Sequence, residues 1–273
     1  MVVHLVDGTY ELFRQFYGRQ RGGTVDTRFG AVIGVLHTVL QMMETGATHV
    51  GVATDHVIES FRNQLWPGYK TGLGVDPALR LQFEPLELAL AAMGVTVWPM
   101  VELEADDALG AAARAAAEDE RVEQVRIWTP DKDLAQCVRE SRVVQVDRRA
   151  NSVRDASGVR EKFGVEPPLI PDFLALVGDS ADGYPGIPGI GKVGAARLVS
   201  RHGAIEDFPP EILGDSRDLA LLFKDLATLR TDTELFGDVD DVRWRGPTDA
   251  FAEAARLLGD QRLLARCLAA QSR

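Results

Sequence analysis

The first part of the chain alternates short apolar runs with stretches whose apolar residues lie at helical spacing. Residues 2–6 form an apolar run that ends at Asp7, and residues 48–54 form a second run that ends at Asp55. Between them, the apolar positions of residues 30–43 have the spacing of an amphipathic helix. The pattern predicts a strand, a helix and a second strand, and each strand delivers a carboxylate to the loop that follows it.

The same alternation continues into the middle of the chain. The sequence predicts helices over residues 85–93 and 104–118, and strands over residues 95–99 and 125–129. Strands that alternate with helices usually form a mainly parallel sheet flanked by helices, so we expect an α/β fold. In such sheets ligands bind beyond the carboxyl ends of the strands, where several acidic segments of this chain fall.

A different pattern follows a polar stretch at residues 147–162. Residues 167–177 are predicted to form a helix, residues 178–191 a turn rich in Gly and Pro, and residues 192–201 a second helix that is capped by Gly203. This order predicts a helix–hairpin–helix element. We expect the remaining helices of the chain to pack around it.

Length and composition are those of an ordinary globular protein. The chain has 273 residues, 45% of them hydrophobic and 26% charged, which suits one α/β core and a small appended subdomain. We expect the α/β core over residues 1–165 and the appended subdomain over residues 166–273. The N-terminus has the features of neither a membrane span nor a signal peptide, and the distant Cys137 and Cys267 indicate buried thiols in a reducing compartment. These features predict a cytoplasmic protein with no membrane partner.

The net charge of −11 taken alone argues against a nucleic-acid partner, because DNA-binding proteins neutralise phosphates with Lys and Arg. The objection weakens if most of the acidic residues form one metal site, since bound divalent ions reverse the local field. Nine carboxylates recur at strand ends and turns that such a fold can bring together: Asp7, Asp55, Glu104, Asp106, Asp107, Asp131, Asp133, Asp179 and Asp182.

Each of these carboxylates also has an ordinary structural interpretation. An Asp at a strand end often forms a turn, and an acidic residue in the first turn of a helix is favoured by the helix dipole. Together, however, so many carboxylates cannot stay ionised without compensation, which divalent cations bound by oxygen ligands usually supply. The cluster predicts two or more Mg²⁺ or Mn²⁺ ions and two-metal phosphoryl chemistry.

The Gly-rich turn contains a pattern, GxGxxG at residues 189–194, that is similar to a dinucleotide-binding fingerprint. It follows a Pro-rich turn instead of a strand, so the context of a nucleotide-binding fold is missing. Backbone amides at a helix N-terminus bind any phosphate, and a DNA backbone fits here without sequence specificity. The residues predicted to contact DNA are Gly186, Gly189, Gly191, Lys192 and Arg197, although a solvated helix face explains the two basic residues equally well.

Several blocks of the chain resemble the 5′-nuclease family, which includes the 5′–3′ exonuclease domain of bacterial DNA polymerase I and standalone bacterial flap endonucleases. The resemblance covers nearly the whole chain and implies a PIN-like catalytic domain with a helix-three-turn-helix DNA-binding subdomain. It also implies metal-dependent hydrolysis of DNA phosphodiester bonds in replication or repair. The blocks are Val6-Asp7-Gly8 with Arg14, residues 30–35, Ser60-Phe61-Arg62, Tyr69-Lys70, residues 104–107, residues 131–136 and residues 172–182.

The resemblance implies roles for residues outside the acidic cluster. Arg14, Arg62 and Lys70 are expected to meet the scissile and neighbouring phosphates. Phe61 and Tyr69 are expected either to stack on a frayed base or to pack in the core. The hairpin is expected to hold the downstream duplex with the help of K⁺.

One departure from the family affects the predicted substrate. The arch segment that the resemblance implies, about residues 60–80, carries Leu73 where the family usually has an Arg, in a Gly-rich and weakly basic stretch. We expect such an arch to hold single-stranded flaps poorly. Exonuclease action on duplex 5′ ends or nicks is therefore expected more firmly than flap threading.

Two other functions remain open from the sequence. One is a non-catalytic protein that binds DNA structures, against which the complete set of carboxylates argues. The other is a PIN-type ribonuclease, a class that generally lacks the hairpin and the segment of residues 61–70. RNA within RNA–DNA hybrids is a further candidate substrate, and we expect the chain to act as a monomer.

Overall fold

The computed structural model describes residues 1–21 and 28–272, and a six-stranded sheet forms its centre. The strands are β1 (Val2–Asp7), β2 (His49–Asp55), β3 (Thr96–Met100), β4 (Gln124–Trp128), β5 (Val143–Asp147) and β6 (Ser152–Arg154). Their order across the sheet is β3-β2-β1-β4-β5-β6, and the neighbours are parallel apart from β6, which is antiparallel to β5. The prediction of a mainly parallel sheet is confirmed.

Helices flank the sheet and form most of the C-terminal part. The predicted helices appear within a few residues of their expected bounds. The helices are α1 (Gly8–Arg21), α2 (Gly30–Glu44), α3 (Arg62–Leu65), α4 (Pro77–Arg80), α5 (Phe83–Ala92), α6 (Ala105–Glu118), α7 (Ala156–Phe163), α8 (Ile170–Val177), α9 (Lys192–His202), α10 (Pro210–Leu213), α11 (Arg217–Ala227), α12 (Phe251–Leu258) and α13 (Arg262–Gln271).

The two faces of the sheet carry separate apolar cores. On one face, Val6 and Val52 pack with α1, α2 and α5. On the other face, Leu5 and Ile127 pack against the Ala-rich helix α6. Because successive side chains of a strand point to opposite faces, a strand covered on both faces is apolar throughout. This explains why the central strands were recognisable as continuous apolar runs.

A third core lies beneath the hairpin between α8 and α9. It joins residues of α7, α8, α9 and α11 with Tyr69 from the N-terminal part of the chain. Within the hairpin, Asp179 and Tyr184 form an antiparallel bridge. Gly178 and Gly186 approach so closely that a Cβ on Gly186 would lie 2.4 Å from the backbone nitrogen of Gly178. The predicted helix–hairpin–helix element is confirmed.

Helices α1, α3, α4 and α7 and strands β5 and β6 are not among the elements that the sequence predicts. The pattern that could have revealed α1 is present, because Leu12 and Phe16 are buried at a spacing of one helical turn. Strand β6 has only three residues, two of them exposed, and so lacks an apolar run. None of the helices in residues 1–21 and 28–272 has both the length and the apolar character that a membrane span requires.

The last two helices depart from the prediction. Phe251 of α12 and Leu263 and Cys267 of α13 are buried in the core that contains α2 and α5. The guanidinium of Arg266 also pairs with Glu44 of α2 at 2.7 Å. The expectation that every helix after the hairpin packs around it is therefore wrong for α12 and α13. An amphipathic pattern shows that a helix has an apolar face but not which surface that face covers.

Candidate metal centre

The carboxyl ends of the parallel strands open into one acidic cleft. Asp7 and Asp55 end β1 and β2, and Asp106 lies in the first turn of α6, after β3. Asp131 and Asp182 also line the cleft, which has a volume of about 300 Å³. The fold thus brings together carboxylates that are widely separated in the sequence.

Two groups of carboxylates have the geometry to bind metal ions. Asp106, Asp131 and Asp133 each offer one oxygen within 4.8 Å of the others, and so do Asp133, Asp179 and Asp182. Since Asp133 belongs to both groups, the two candidate sites adjoin. Together they contain five of the nine carboxylates that the sequence predicts at the metal site.

The environment of Asp133 fits a bound cation. Its Oδ1 is buried and accepts no hydrogen bond from the described residues. A buried polar atom without a partner costs free energy, which a coordinated ion would recover. A donor set made only of carboxylate oxygens suits hard cations such as Mg²⁺ or Mn²⁺.

The pKa values of these carboxyls are raised by burial and by their mutual repulsion. Burial raises the pKa of Asp7 to about 7, with further contributions from Asp55 and Asp131. The pKa values of Asp106 and Asp133 lie well above the usual range, first because of burial and then because of Asp131. Raised pKa values in a cleft are typical of functional sites, and a bound cation would favour the ionised carboxylates.

Asp7, Asp55 and Glu104 lie beside these two groups and are held by hydrogen bonds. The hydroxyl of Thr129 donates to Oδ2 of Asp7 at 2.9 Å, and the backbone amide of Ala105 donates to Oδ1 of Asp55 at 2.7 Å. Glu104 is buried, and the hydroxyl of Ser60 donates to its Oε1 at 2.6 Å. These contacts fix the orientation of carboxylates that border the cleft.

Lys70 lines the cleft and contacts carboxylates from two distant parts of the chain. Its Nζ lies 3.1 Å from Oε2 of Glu104 and 3.1 Å from Oδ1 of Asp182. Burial opposes the charged form of Lys70, but Asp182 and Glu104 hold its pKa well above the usual value. Lys70 is therefore a cation inside the acidic cleft, and its contact with a phosphate stays a prediction.

Arg62 and Asp107 form a buried ion pair that does not line the cleft, although Nη1 of Arg62 lies 3.6 Å from Oε2 of Glu104. The guanidinium donates to the two carboxylate oxygens at 2.8 and 2.7 Å, and the two residues are 1% and 0% exposed. Arg62 also donates to the carbonyl of Leu226 at 2.8 Å, so the pair links α6 to α11. These contacts engage both side chains within the protein, and a phosphate contact of Arg62 and a metal at Asp107 stay predictions. Consecutive helical residues point about 100° apart, so Asp106 faces the cleft and Asp107 the interior.

The two aromatic residues predicted to stack on DNA bases are engaged within the protein. Tyr69 is 3% exposed, and its hydroxyl donates to Glu104 at 3.2 Å. Burial and this hydrogen bond favour the alternative of core packing for Tyr69, and stacking on a base stays a prediction. The ring of Phe61 contacts the guanidinium groups of Arg62 and Arg230, whose Cζ atoms lie 4.6 and 4.9 Å from its centroid. Phe61 is half-buried, and its contact with a base stays a prediction.

Helix α1 supplies cleft residues that sequence reasoning missed. Thr9, Tyr10 and Phe13 line the cleft because α1 begins directly after Asp7 at the end of β1. Arg14, on the same helix, donates from Nε to Glu11 at 3.1 Å and does not line the cleft. Its predicted contact with a phosphate stays a prediction.

The predicted DNA contacts of the hairpin divide into one buried and several exposed residues. Gly186 is buried against backbone atoms at the end of α8, so its role is structural. Gly189 and Gly191 are exposed and have open space where a side chain would be. Lys192 and Arg197 of α9 are exposed as well. Contact between DNA and these exposed residues stays a prediction.

Two family models match consecutive parts of this chain. The model described as "5′–3′ exonuclease, N-terminal resolvase-like domain" matches residues 2–164, and "5′–3′ exonuclease, C-terminal SAM fold" matches residues 165–250. The chain belongs to the 5′–3′ exonuclease family. Helices α12 and α13 begin after the second matched region.

Individual relatives of this 5′–3′ exonuclease family member differ in length. DNA polymerase I of Pseudomonas aeruginosa is 37% identical over 259 residues, which is 87% of this chain and 28% of the polymerase. The chain therefore spans little more than a quarter of that relative. The 5′–3′ exonuclease of Buchnera aphidicola subsp. Baizongia pistaciae is 31% identical over 84% of this chain and 81% of its own length.

A solved structure confirms the fold. The T5 flap endonuclease, crystallised as a pseudo-enzyme-product complex with DNA and metal ions, matches with a TM-score of 0.69 and 17% identity over 100% of both chains. At this identity the likeness concerns the arrangement of strands and helices.

Proposed function

We propose that this member of the 5′–3′ exonuclease family hydrolyses DNA phosphodiester bonds at 5′ ends, nicks or flaps with the help of divalent cations. The observation that carries the proposal is the pair of adjoining carboxylate groups that share Asp133 beside the hairpin. The T5 flap endonuclease, which has this fold, was crystallised with DNA and metal ions. The same ligands would suit the acidic cleft and the hairpin here.

The residues of the cleft fit three separate roles, which are binding metal ions, attracting the phosphate and positioning carboxylates. Mg²⁺ or Mn²⁺, when bound, would lower the pKa of a water nucleophile and stabilise charge on the phosphate. Lys70 attracts the scissile phosphate into the cleft, while Thr129 and Ala105 keep Asp7 and Asp55 in place. The ions would be held by Asp106, Asp131 and Asp133, and by Asp133, Asp179 and Asp182, with Asp7, Asp55 and Glu104 beside them.

The segment between α3 and α4 supports a preference for duplex ends over long flaps. It contains no helix, and Lys70 is the only basic residue between positions 63 and 79. Leu73 is 89% exposed. Three residues before it, the backbone amide of Lys70 donates to the carbonyl of Asp182 at 2.9 Å, which holds this end of the segment against the hairpin. A segment with one cation attracts a single strand weakly. We propose that nicks and duplex 5′ ends are cut faster than long flaps.

Other parts of the proposal rest on the family resemblance. These are K⁺ at the hairpin, RNA–DNA hybrids as a second substrate, a role in replication or repair, and action as a monomer. The free thiols of Cys137 and Cys267 support a location in the cytoplasm, where thiols stay reduced.

The test is cleavage of a 5′-labelled nicked duplex and a 5′-flap duplex in Mg²⁺, Mn²⁺ or EDTA. We expect metal-dependent products, and a loss of at least about 100-fold in Asp131→Asn with duplex binding retained, since even outer partners of metal ligands contribute 10–100-fold. Asp131 is exposed, so the fold should tolerate the change. The matched control is Asp147→Asn, because Asp147 also ends a strand at this edge but belongs to neither carboxylate group.

Each alternative has its own outcome. Near-normal cleavage by Asp131→Asn would contradict the ligand assignment. Binding of DNA without any product in every metal would favour the non-catalytic DNA-binding protein. Cleavage of single-stranded RNA but not of DNA would favour the PIN-type ribonuclease.

A further inference from the structure

A second cavity, next to the candidate metal centre, is lined by three lysines and no carboxylate. It has a volume of about 470 Å³ and lies between the end of α7, helix α8 and the first turn of α9. The lysines are Lys132, Lys162 and Lys192, and the rest of the lining consists of apolar side chains and glycines. In a chain with a net charge of −11, such a concentration of positive charge needs an explanation.

The cavity adjoins the carboxylate group of Asp133, Asp179 and Asp182. Lys132 lines the cavity, and its Nζ also lies 2.6 Å from Oδ2 of Asp179. Gly178, the residue before Asp179, forms part of the cavity wall. An anion in the cavity would therefore lie beside the DNA that the metal centre cuts.

Lys162 is exposed and forms no ion pair within the part of the chain that the structure describes. Its Nζ packs 4.9 Å from the centroid of the Phe163 ring. Partial desolvation lowers the pKa of Lys162, and the positive charges of Arg154 and Lys132 lower it further. The carboxylates of Asp147 and Asp131 oppose this shift in pKa without outweighing it. Like charges gathered in this way repel each other in the free protein, and a bound anion would relieve the repulsion.

The first turn of α9 adds uncapped donors to the same cavity. Helix α9 has eleven residues, and its N-cap, Gly191, has no side chain to accept hydrogen bonds from the first-turn amides. Lys192 and Val193, the first residues of the helix, both line the cavity. Free amides and the positive end of a helix dipole favour a phosphate group.

We propose that this cavity binds a backbone phosphate of the DNA near the cleaved bond, through Lys162 and Lys132 from one side and the first turn of α9 from the other. The inference rests on the proposed function and adds Lys162 and Lys132 to the DNA-binding surface. A free phosphate ion has the same chemistry, so the experiment separates the two sources.

A simpler role for Lys162 is stabilisation of α7, because cations near a helix C-terminus interact with the helix dipole. Arg160 provides a matched control for this role. It lies in the same last turn of α7, is exposed, and pairs with Glu166 at 3.0 Å instead of lining the cavity. A change at Arg160 removes the same dipole contribution without touching the cavity.

The experiment is titration of a fluorescent nicked duplex in EDTA, which prevents cleavage, at several KCl concentrations. We expect Lys162→Gln to weaken binding about 3- to 10-fold at ~0.1 M salt and to reduce the slope of log Kd against log salt by about 1. Arg160→Gln should bind like the wild type, and Lys162→Arg should retain tight binding. The thermal midpoint of free Lys162→Gln should equal or exceed that of the wild type.

The outcomes that overturn the proposal are distinct from failure of the proposed function. Equal DNA affinity and salt slope for Lys162→Gln and Arg160→Gln would overturn it while leaving nuclease activity intact. Calorimetric binding of inorganic phosphate that requires Lys162, with DNA affinity unchanged, would assign the cavity to free phosphate instead. Failure of the wild type to bind any DNA would overturn both proposals.

Discussion

Burial of carboxyls at the metal centre predicts how stability depends on pH. The pKa of Asp7 rises from 3.8 to about 7 on folding, so the folded state holds this proton more tightly. The contribution of Asp7 to the free energy of unfolding therefore falls as pH rises from about 4 to about 7. The fall is about 1.4 kcal/mol for each pH unit within this interval. In EDTA, we expect Asp7→Asn to gain thermal stability relative to the wild type as pH increases from about 5 to 8.

The wild type must be compared with a variant because another residue, His4, changes the stability with pH in the opposite direction. The pKa of His4 is lowered from 6.5 to about 4, mainly by burial, so its contribution to stability rises with pH over that interval. Asp7→Asn leaves this contribution in place. A difference in thermal midpoint between the two proteins that stays constant with pH would contradict the assignment to Asp7. Added Mg²⁺ should raise the wild-type midpoint most at high pH, where the carboxylates repel each other.

The buried pair of Arg62 and Asp107 gives a second prediction at the residue scale. We expect Asp107→Ala to lower the free energy of unfolding by about 3–5 kcal/mol, because it leaves a buried guanidinium without its partner. Urea denaturation measures this change. Glu253→Ala, which removes an exposed partner of Arg256, should have little effect. A stable Asp107→Ala protein that has lost only metal binding would contradict this assignment and support the prediction that Asp107 is a metal ligand.

At the scale of the element, the hairpin depends on close backbone contact. Gly186 has a φ of 74°, and a Cβ there would meet the backbone of Gly178 at 2.4 Å. We expect Gly186→Ala to destabilise the hairpin by more than about 2 kcal/mol and to weaken duplex binding, since backbone conformation and space both oppose the side chain. Chemical denaturation and the duplex-binding titration report the two effects.

Gly189 is the matched control for this prediction. Its φ of 83° is similar, but nothing lies within 4 Å of the position of a Cβ. Gly189→Ala should therefore show only the conformational cost of about 1 kcal/mol. Equal losses in the two variants would show that conformation alone, and not the contact with Gly178, limits the hairpin.

At the scale of the whole molecule, the C-terminal helices complete the core of the N-terminal half. Phe251 of α12 is fully buried among residues of that core. We expect Phe251→Ala to lower the free energy of unfolding by about 3–5 kcal/mol, the usual range for loss of a buried ring. Leu257→Ala on the same helix is the control, since Leu257 is 62% exposed. Equal stability of the two variants would show that α12 is not part of the core.

The sequence by itself determined the central sheet, the hairpin and most of the acidic cluster. Strands buried on both faces must be apolar throughout, and the chain must leave each strand through a polar turn, so strands and the carboxylates that follow them are visible locally. The hairpin was visible because its positive φ angles require Gly. These features depend on neighbours in the sequence.

Only the tertiary structure decided which partner each side chain meets. It placed Asp106 in the cleft and Asp107 against Arg62, although the two are adjacent in the sequence. It also made Asp133 the shared member of two carboxylate groups and directed α13 to the sheet domain. Local periodicity shows that a face is apolar or acidic, whereas its partner depends on contacts between distant segments, and these form only when the whole chain folds.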